Sequence, residues 1–289
     1  MILLVVPAIM QPRLPGEAEV QPDFHVQGGQ HQAQIGGENA GGRQCTGIAA
    51  MAVVFAVSED PITWNLETMN AILSSGTRFY TLSCEEKNIA NRYLEPTELR
   101  SRCQVTKKAD KVTVDCDILV SERFTGNTAL DIRHFFGDVE TGNGTIVIGS
   151  IYSGLRQLLG GDGMKAVLVV SYDVTLAIWK LKDSDKYWLF DSHARDKNGK
   201  IDGNGKSFCG RYSSLQDVCR AFYQNHRDES GAVKGSDFAL YEITVHCTNH
   251  LPDPRPVGPR VRRKKSYGRK RKCCDLAMSL CLHPFPRTV

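Results

Sequence analysis

The sequence predicts an α+β fold, because apolar patterns typical of helices come first along the chain and patterns typical of strands come later. The regular alternation of strand and helix that indicates a parallel sheet does not occur. With 289 residues, of which 41% are hydrophobic and 24% charged, the chain is long enough for one main domain with a well-buried core. We therefore expect early helices packed on an antiparallel sheet.

Two helices are predicted in the first third of the chain. The stretch from Cys45 to about Ser58 (CTGIAAMAVVFAVS) is small and apolar throughout, which is typical of a helix buried on most sides. A second helix is predicted from Thr63, which can act as its N-cap, to about Leu73, since apolar side chains recur there at helical spacing. Residues 11–44 are rich in Gln, Gly and Pro and predict loops.

Strands dominate the later part of the predicted fold. Short helices are expected at residues 153–159 and 214–225. The predicted strands are residues 111–119, 144–151, 165–171, 175–181, 187–191 and 238–245. The three strands between 165 and 191 are separated by short turns, which indicates an antiparallel meander.

Charge divides the chain into a mildly acidic body and a basic tail. From Asp253 onward the sequence contains eleven Lys and Arg and two Asp, so this tail has a net charge of +9. The net charge of the whole chain is +4, so the rest of the chain has a net charge of −5. We expect residues 1–24 to be an unstructured leader, residues 25–250 the folded domain, and residues 251–289 a disordered tail. The basic run from Arg260 to Lys272 could contact nucleic acid or an import receptor, or be only a solvated tail.

Several classes of protein are disfavoured by composition. The ten cysteines include no CxxC pair and no Cys/His cluster at zinc spacing, so we expect no structural metal. The apolar start, MILLVVPAIM, is too short to cross a bilayer and lacks the features of a signal peptide. The sequence thus predicts a cytoplasmic or nuclear protein with no membrane span and with reduced thiols.

Cys45 is the candidate nucleophile. It lies where a Gly-rich loop meets a buried helix, and the unpaired N–H groups and dipole of a helix start favour an anion such as a thiolate. A thiol whose pKa is lowered in this way is nucleophilic at neutral pH when a base stands close. A buried cysteine that serves only as a small apolar side chain is the competing interpretation.

Asp191 and His193 are the candidate orienting acid and general base. They lie two residues apart at the end of the apolar stretch WLF, and residues i and i+2 of a strand face the same side. The Asp191 carboxylate can therefore orient the His193 imidazole and stabilise its charged form. The competing interpretation is a solvent-exposed turn, because the following SHARDKNG is polar.

A site with a cysteine nucleophile and a histidine base also needs a polar donor for the oxyanion, a role that a Gln side chain can perform. Five glutamines upstream of Cys45 or next to it compete for this role, and composition does not choose among them. They are Gln27, Gln30, Gln32, Gln34 and Gln44.

Taken together, HQAQIGGENAGGRQCTGIAA and the later YWLFDSHARDKNG resemble the cysteine deubiquitinases at the start of the herpesvirus large tegument protein and their relatives in animal genomes and mobile elements. The family pattern has a Gln thirteen residues before a Gly-x-Gln-Cys nucleophile, then a strand that ends in Asp-x-His. Gln32 lies thirteen residues before Cys45, and Gly42 begins the nucleophile motif. The segment WNLETMNAILSSGTRFY also resembles the second helix of these enzymes.

The resemblance, which spans about residues 25–245, implies a papain-like cysteine peptidase acting on ubiquitin or a ubiquitin-like protein. It implies Cys45 as nucleophile, His193 as base, Asp191 as orienter and Gln32 as oxyanion donor, with no cofactor. Relatives often have Gly-Asp where this chain has Ala33-Gln34, so Gln34 remains a rival for the oxyanion role. Two other functions stay open: a catalytically inactive ubiquitin-binding module, and a nucleic-acid-binding protein that acts through its basic tail.

Overall fold

The computed structural model describes residues 20–35, 41–89, 92–106, 113–127, 151–171, 174–225 and 237–248. Within these ranges the chain forms four α-helices and eight β-strands, an α+β architecture. The helices are α1 (Cys45–Ser58), α2 (Leu66–Lys87), α3 (Ile151–Leu158) and α4 (Leu215–Gln224). The strands are β1 (Phe24–Gln27), β2 (Arg102–Thr106), β3 (Thr113–Asn127), β4 (Lys165–Ser171), β5 (Val174–Lys180), β6 (Tyr187–Arg195), β7 (Lys206–Tyr212) and β8 (Asp237–Thr248).

The eight strands form one antiparallel sheet in the order β1-β7-β6-β5-β4-β8-β3-β2. Alternate side chains of its central strands enter two separate apolar clusters. Trp179 and its same-face neighbours pack with α1 and α2, whereas Ile178 and its neighbours pack with α3 and α4. Because both faces are covered, these strands are apolar at nearly every position, which explains why their sequence lacks a polar alternation.

Helix α1 lies between α2 and the sheet, and twelve of its fourteen residues are buried. Its contact with α2 is close because glycines stand where the two helices approach each other. A Cβ added at Gly76 of α2 would overlap the backbone of Ile48, and one added at Gly47 of α1 would meet Tyr80. This packing holds the first turn of α1, and therefore Cys45, against strands β5 and β6.

The predicted helices are found, with one large difference in length. The helix predicted from Cys45 to about Ser58 is confirmed. The second helix begins at Leu66 and continues to Lys87, well past the predicted end near Leu73, and its N-cap is Asn65 and not Thr63. The Asn65 carboxamide oxygen accepts hydrogen bonds from two backbone N–H groups of the first turn. The extension was missed because its buried face is made of small and aromatic residues instead of aliphatic ones.

The strand predictions differ from the structure mainly in length. Strand β6 continues to Arg195 with a bulge after Asp191, so Asp191 and His193 lie within the strand and not at its end. Strands β1, β2 and β7 were not predicted, and β1 lies within a stretch that was expected to be loop. Ile151, predicted to end a strand, begins α3. The rest of that predicted strand, the leader up to residue 19 and the basic tail lie outside the described residues.

A disulfide bond joins Cys116 of β3 to Cys247 of β8, contrary to the expectation of reduced thiols throughout. The two residues are direct partners in the antiparallel register, with Cα atoms 4.1 Å apart. Such a cross-strand pair brings two side chains on the same face within bonding distance. The two cysteines are 131 positions apart in the sequence, which explains why no spacing pattern indicated the bond.

We expect reduction of this disulfide to lower the free energy of unfolding by about 2–5 kcal/mol, because opening the loop increases the conformational freedom of the unfolded chain. Urea denaturation followed by circular dichroism, with and without a reductant, measures the change. The Cys247→Ser variant is the control, since its denaturation curve should be the same in both conditions. Identical curves for the unsubstituted protein with and without reductant would show that the bond does not stabilise the fold.

Among the described residues, no helix is long and apolar enough to cross a membrane.

Candidate active site

Cys45 is the first residue of α1, and its side chain is buried. The preceding turn contains Gly42, whose φ of +80° is in the left-handed region that favours glycine. Gln44, the buried N-cap residue, does not cap the helix with its side chain. Its Nε2 instead donates to the backbone oxygens of Gln32 and Ile35, both at 2.7 Å. Gln44 thereby ties the start of α1 to the upstream segment that carries Gln32.

Asp191 and His193 lie on the same side of strand β6. The Oδ1 of Asp191 is 2.6 Å from His193 Nδ1 and also accepts the backbone N–H of His193 at 2.9 Å. Asp191 is 1% exposed, so the interpretation of this segment as a solvent-exposed turn is wrong. Because Nδ1 is engaged by the carboxylate, the other ring nitrogen, Nε2, is left for a second partner.

Arg195 is a further partner of Asp191. Its Nε donates to Asp191 Oδ2 at 2.5 Å, and the Arg195 side chain is only 7% exposed. Burial alone would raise the pKa of the Asp191 carboxyl. The charges of Arg195 and His193, together with the hydrogen bonds from His193, hold that pKa well below its usual range instead. The carboxylate is therefore ionised throughout the physiological pH range.

The thiol of Cys45 is hydrogen-bonded to the side chain of His193. Burial would raise the pKa of the Cys45 thiol, but the hydrogen bond and charge of His193, with hydrogen bonds from Thr175, lower it below its usual value. Burial would lower the pKa of His193, but Asp191 and Cys45 raise it to about 9. Both shifts favour a thiolate and imidazolium pair at neutral pH.

Gln32 is buried and lies in a single 3-10 turn, Gln32–Gln34. Its side-chain Oε1 accepts the hydroxyl of Ser192 at 2.7 Å, and its Nε2 donates to the backbone oxygen of Gly42 at 3.3 Å. Ser192 lies between the two motif residues of β6. These contacts fix the carboxamide so that its NH₂ group faces the turn that leads into Cys45.

The other glutamines are held differently. Gln34 is exposed, and its Oε1 accepts the backbone N–H of His31 at 3.1 Å, which caps the 3-10 turn. Gln27 Nε2 donates to the backbone oxygen of Arg195 at 2.9 Å, and Gln30 is exposed. Of the five candidates, Gln32 is thus the one whose buried side-chain amide faces the turn before Cys45.

Three residues around the site were not singled out from the sequence: Thr175, Ser192 and Arg195. Ser192 and Arg195 adjoin the Asp191 motif, so their proximity was visible, but nothing in the sequence indicated their partners. Thr175 lies on β5, and only the packing of α1 against the sheet brings it to Cys45. In the described part of the chain, no group of three or more His, Cys, Asp or Glu side chains could hold a metal ion.

A helix-initiating thiol bonded to an imidazole that a buried carboxylate orients is the arrangement typical of thiol hydrolases. Comparison with protein families makes the assignment more specific. The chain belongs to the family described as the herpesvirus tegument protein, N-terminal conserved region, whose sequence profile matches residues 27–234. The expected family resemblance is thereby confirmed.

A solved structure shares the fold. It is the ubiquitin-specific protease encoded by murine cytomegalovirus tegument protein M48, in complex with a ubiquitin-based suicide substrate. The TM-score is 0.55 at 14% sequence identity, and the match covers 79% of this chain and 89% of that chain. No protein with a curated description matches the sequence.

Proposed function

We propose that this chain is a cysteine peptidase of papain-like fold that cleaves the bond after the C-terminal Gly-Gly of ubiquitin or a ubiquitin-like protein. The observation that carries the proposal is the hydrogen-bonded array of Cys45, His193 and Asp191. Membership of the tegument family and the fold shared with a viral ubiquitin-specific protease support the substrate class. The peptidase domain corresponds to residues 25–250.

In the proposed reaction the Cys45 thiolate attacks the carbonyl carbon of the scissile bond, and the carbonyl electrons move to oxygen. The Gln32 Nε2–H and the backbone N–H of Cys45 stabilise that oxyanion. When the tetrahedral intermediate collapses, the C–N bond breaks and the leaving amine takes a proton from His193. A water molecule, deprotonated by His193, then attacks the thioester, which releases the carboxylate and regenerates Cys45.

The proposal is tested with ubiquitin that carries a C-terminal electrophile, read as a mass shift of the protein. We expect a covalent adduct on the unsubstituted protein and none on Cys45→Ala, because the probe bonds to the nucleophilic sulfur. Cys209→Ala is the matched control: this thiol is also buried, but burial raises its pKa, so labelling should be unchanged. A folded, unsubstituted protein that forms no adduct would contradict the assignment of ubiquitin as substrate.

We expect the pH profile of hydrolysis to extend further into the alkaline range than an ordinary histidine allows. His193 must be protonated to donate to the leaving amine, and its pKa is raised to about 9, so the rate should fall only as the pH passes that value. On the acid side of the profile, the rate should rise at a pH below the usual pKa of a thiol, because the pKa of the Cys45 thiol is lowered. Both limbs belong to the coupled pair and not to either residue alone.

Initial rates on a fluorogenic amide of the ubiquitin C-terminus, measured across this range, give both limbs. An alkaline limb near pH 6.5, the ordinary pKa of histidine, would contradict the proposed ion pair.

A further inference from the structure

Two threonine hydroxyls meet beside the sulfur of Cys45. Thr46 follows Cys45 in α1, and Thr175 is the second residue of β5. The Oγ1 atoms of the two residues are 2.9 Å apart, and both side chains are buried, with 2% and 3% exposure. Neither residue belongs to the array of Cys45, His193 and Asp191.

Thr175 also contacts the sulfur itself. Both its hydroxyl and its backbone form hydrogen bonds with the Cys45 thiol. The Thr46 hydroxyl donates its proton elsewhere, to the backbone oxygen of Leu94 at 2.8 Å. The sulfur is therefore held between His193 on β6 and Thr175 on β5.

Counting protons shows what each hydroxyl can do. A threonine hydroxyl has one proton to donate, and the Leu94 carbonyl can only accept. Since the Thr46 proton goes to Leu94, the proton between the two hydroxyls must come from Thr175. That single proton has two acceptors within reach, the Thr46 oxygen and the Cys45 sulfur. A charged acceptor forms the stronger hydrogen bond, so ionisation of the thiol draws the Thr175 proton to sulfur.

We propose that Thr175 is a further catalytic residue, whose hydroxyl donates to the Cys45 sulfur when the thiol ionises and returns to Thr46 when the sulfur is acylated. The inference deepens the proposed peptidase function and rests on Cys45 as its nucleophile. No bond to sulfur is made or broken by Thr175, because only the direction of its O–H changes. The hydroxyl favours the anionic sulfur over the neutral one.

Other groups near the sulfur also affect the pKa of the Cys45 thiol. His193 faces Cys45 from β6, Tyr80 of α2 interacts electrostatically with Cys45, and the charge of Arg43 acts on Tyr80. A change at Thr175 leaves all of these groups in place. Thr175→Val removes only the hydroxyl: the backbone N–H remains, and Thr46 keeps Leu94 as its acceptor.

The test is the pH dependence of alkylation of Cys45 by iodoacetamide in the full-length protein, followed by mass spectrometry of the peptide that contains Cys45. We expect Thr175→Val to raise the pKa of the Cys45 thiol by about one unit, the size expected for loss of one hydrogen bond to a charged group. Thr175→Ser keeps the hydroxyl and should remain close to the unsubstituted protein. If the valine variant does not fold, Thr175→Ala is compared with Thr175→Ser in the same way.

Two results would overturn the proposal. One is an unchanged pKa of the Cys45 thiol in a folded Thr175→Val variant. The other is an equal rise in Thr175→Ser, which keeps the hydroxyl, because the effect would then come from any change of packing at this position and not from loss of the hydroxyl. Alkylation needs no ubiquitin, so a shift seen in a protein that the ubiquitin probe does not label would support the role of Thr175 while contradicting the proposed substrate.

Discussion

Asp191→Asn is expected to lower kcat by roughly 10⁴-fold, the loss that the corresponding substitution causes in a serine protease triad. The Asp191 carboxylate holds His193 through Nδ1, which directs Nε2 to the Cys45 thiol, and it is the leading cause of the raised pKa of His193. An asparagine can present its N–H₂ group to Nδ1, which would place the ring proton on Nε2 and remove the base. Steady-state kinetics on a fluorogenic ubiquitin amide measure the effect.

This substitution also affects stability, because Asp191 is the buried partner of Arg195. Removing one member of a buried ion pair costs on the order of 3–5 kcal/mol, so kinetics must be measured under conditions in which circular dichroism shows the variant to be folded. Arg195→Gln is the matched control. It breaks the same ion pair but leaves the Asp191–His193 contact, so we expect loss of stability with a much smaller fall in kcat. A folded Asp191→Asn variant with kcat close to that of the unsubstituted protein would refute the orienting role.

Gln32→Ala is expected to lower kcat by about 10²–10³-fold with little change in KM, the effect of removing one oxyanion donor. The Gln32 carboxamide is buried, and Ser192 holds its oxygen, so its N–H₂ group is already oriented before substrate binds. A donor positioned in advance stabilises the charge that develops in the transition state more than it stabilises the bound substrate. Because the transition state gains more than the bound substrate, the loss should appear mainly in kcat.

Gln34→Ala is the control for this experiment and decides between the two candidate glutamines. Gln34 is exposed, and its side chain only caps the short turn that contains Gln32. We expect this variant to retain kcat within about two-fold, since substitutions of exposed side chains away from a site usually have small effects. If Gln34→Ala were the variant with the large loss, the oxyanion role would belong to Gln34.

Local patterns explain which elements could be predicted. Helix α1 was predicted with its observed ends because fourteen consecutive small or apolar residues are bounded by a Gly-rich loop and by Glu59-Asp60-Pro61. The central strands were found for the same reason, since continuous apolar runs mark strands that are covered on both faces. Strands β2 and β7 were missed because they contain polar residues that resemble loop sequence and become strands only through their neighbours in the sheet.

By itself, the sequence determined the α+β class, the position of Cys45 at the start of a buried helix, and the placement of Asp191 and His193 on one side of a strand. These features depend on residues close together in the chain. Only the tertiary structure decided which glutamine faces the turn before Cys45, that Arg195 pairs with Asp191, that Thr175 contacts the sulfur, and that Cys116 bonds to Cys247. Except for the pair of Arg195 and Asp191, these contacts join different elements of the fold. In each case the partner is selected by which side chains are buried together and by the register of the strands, and not by the secondary-structure propensity of nearby residues.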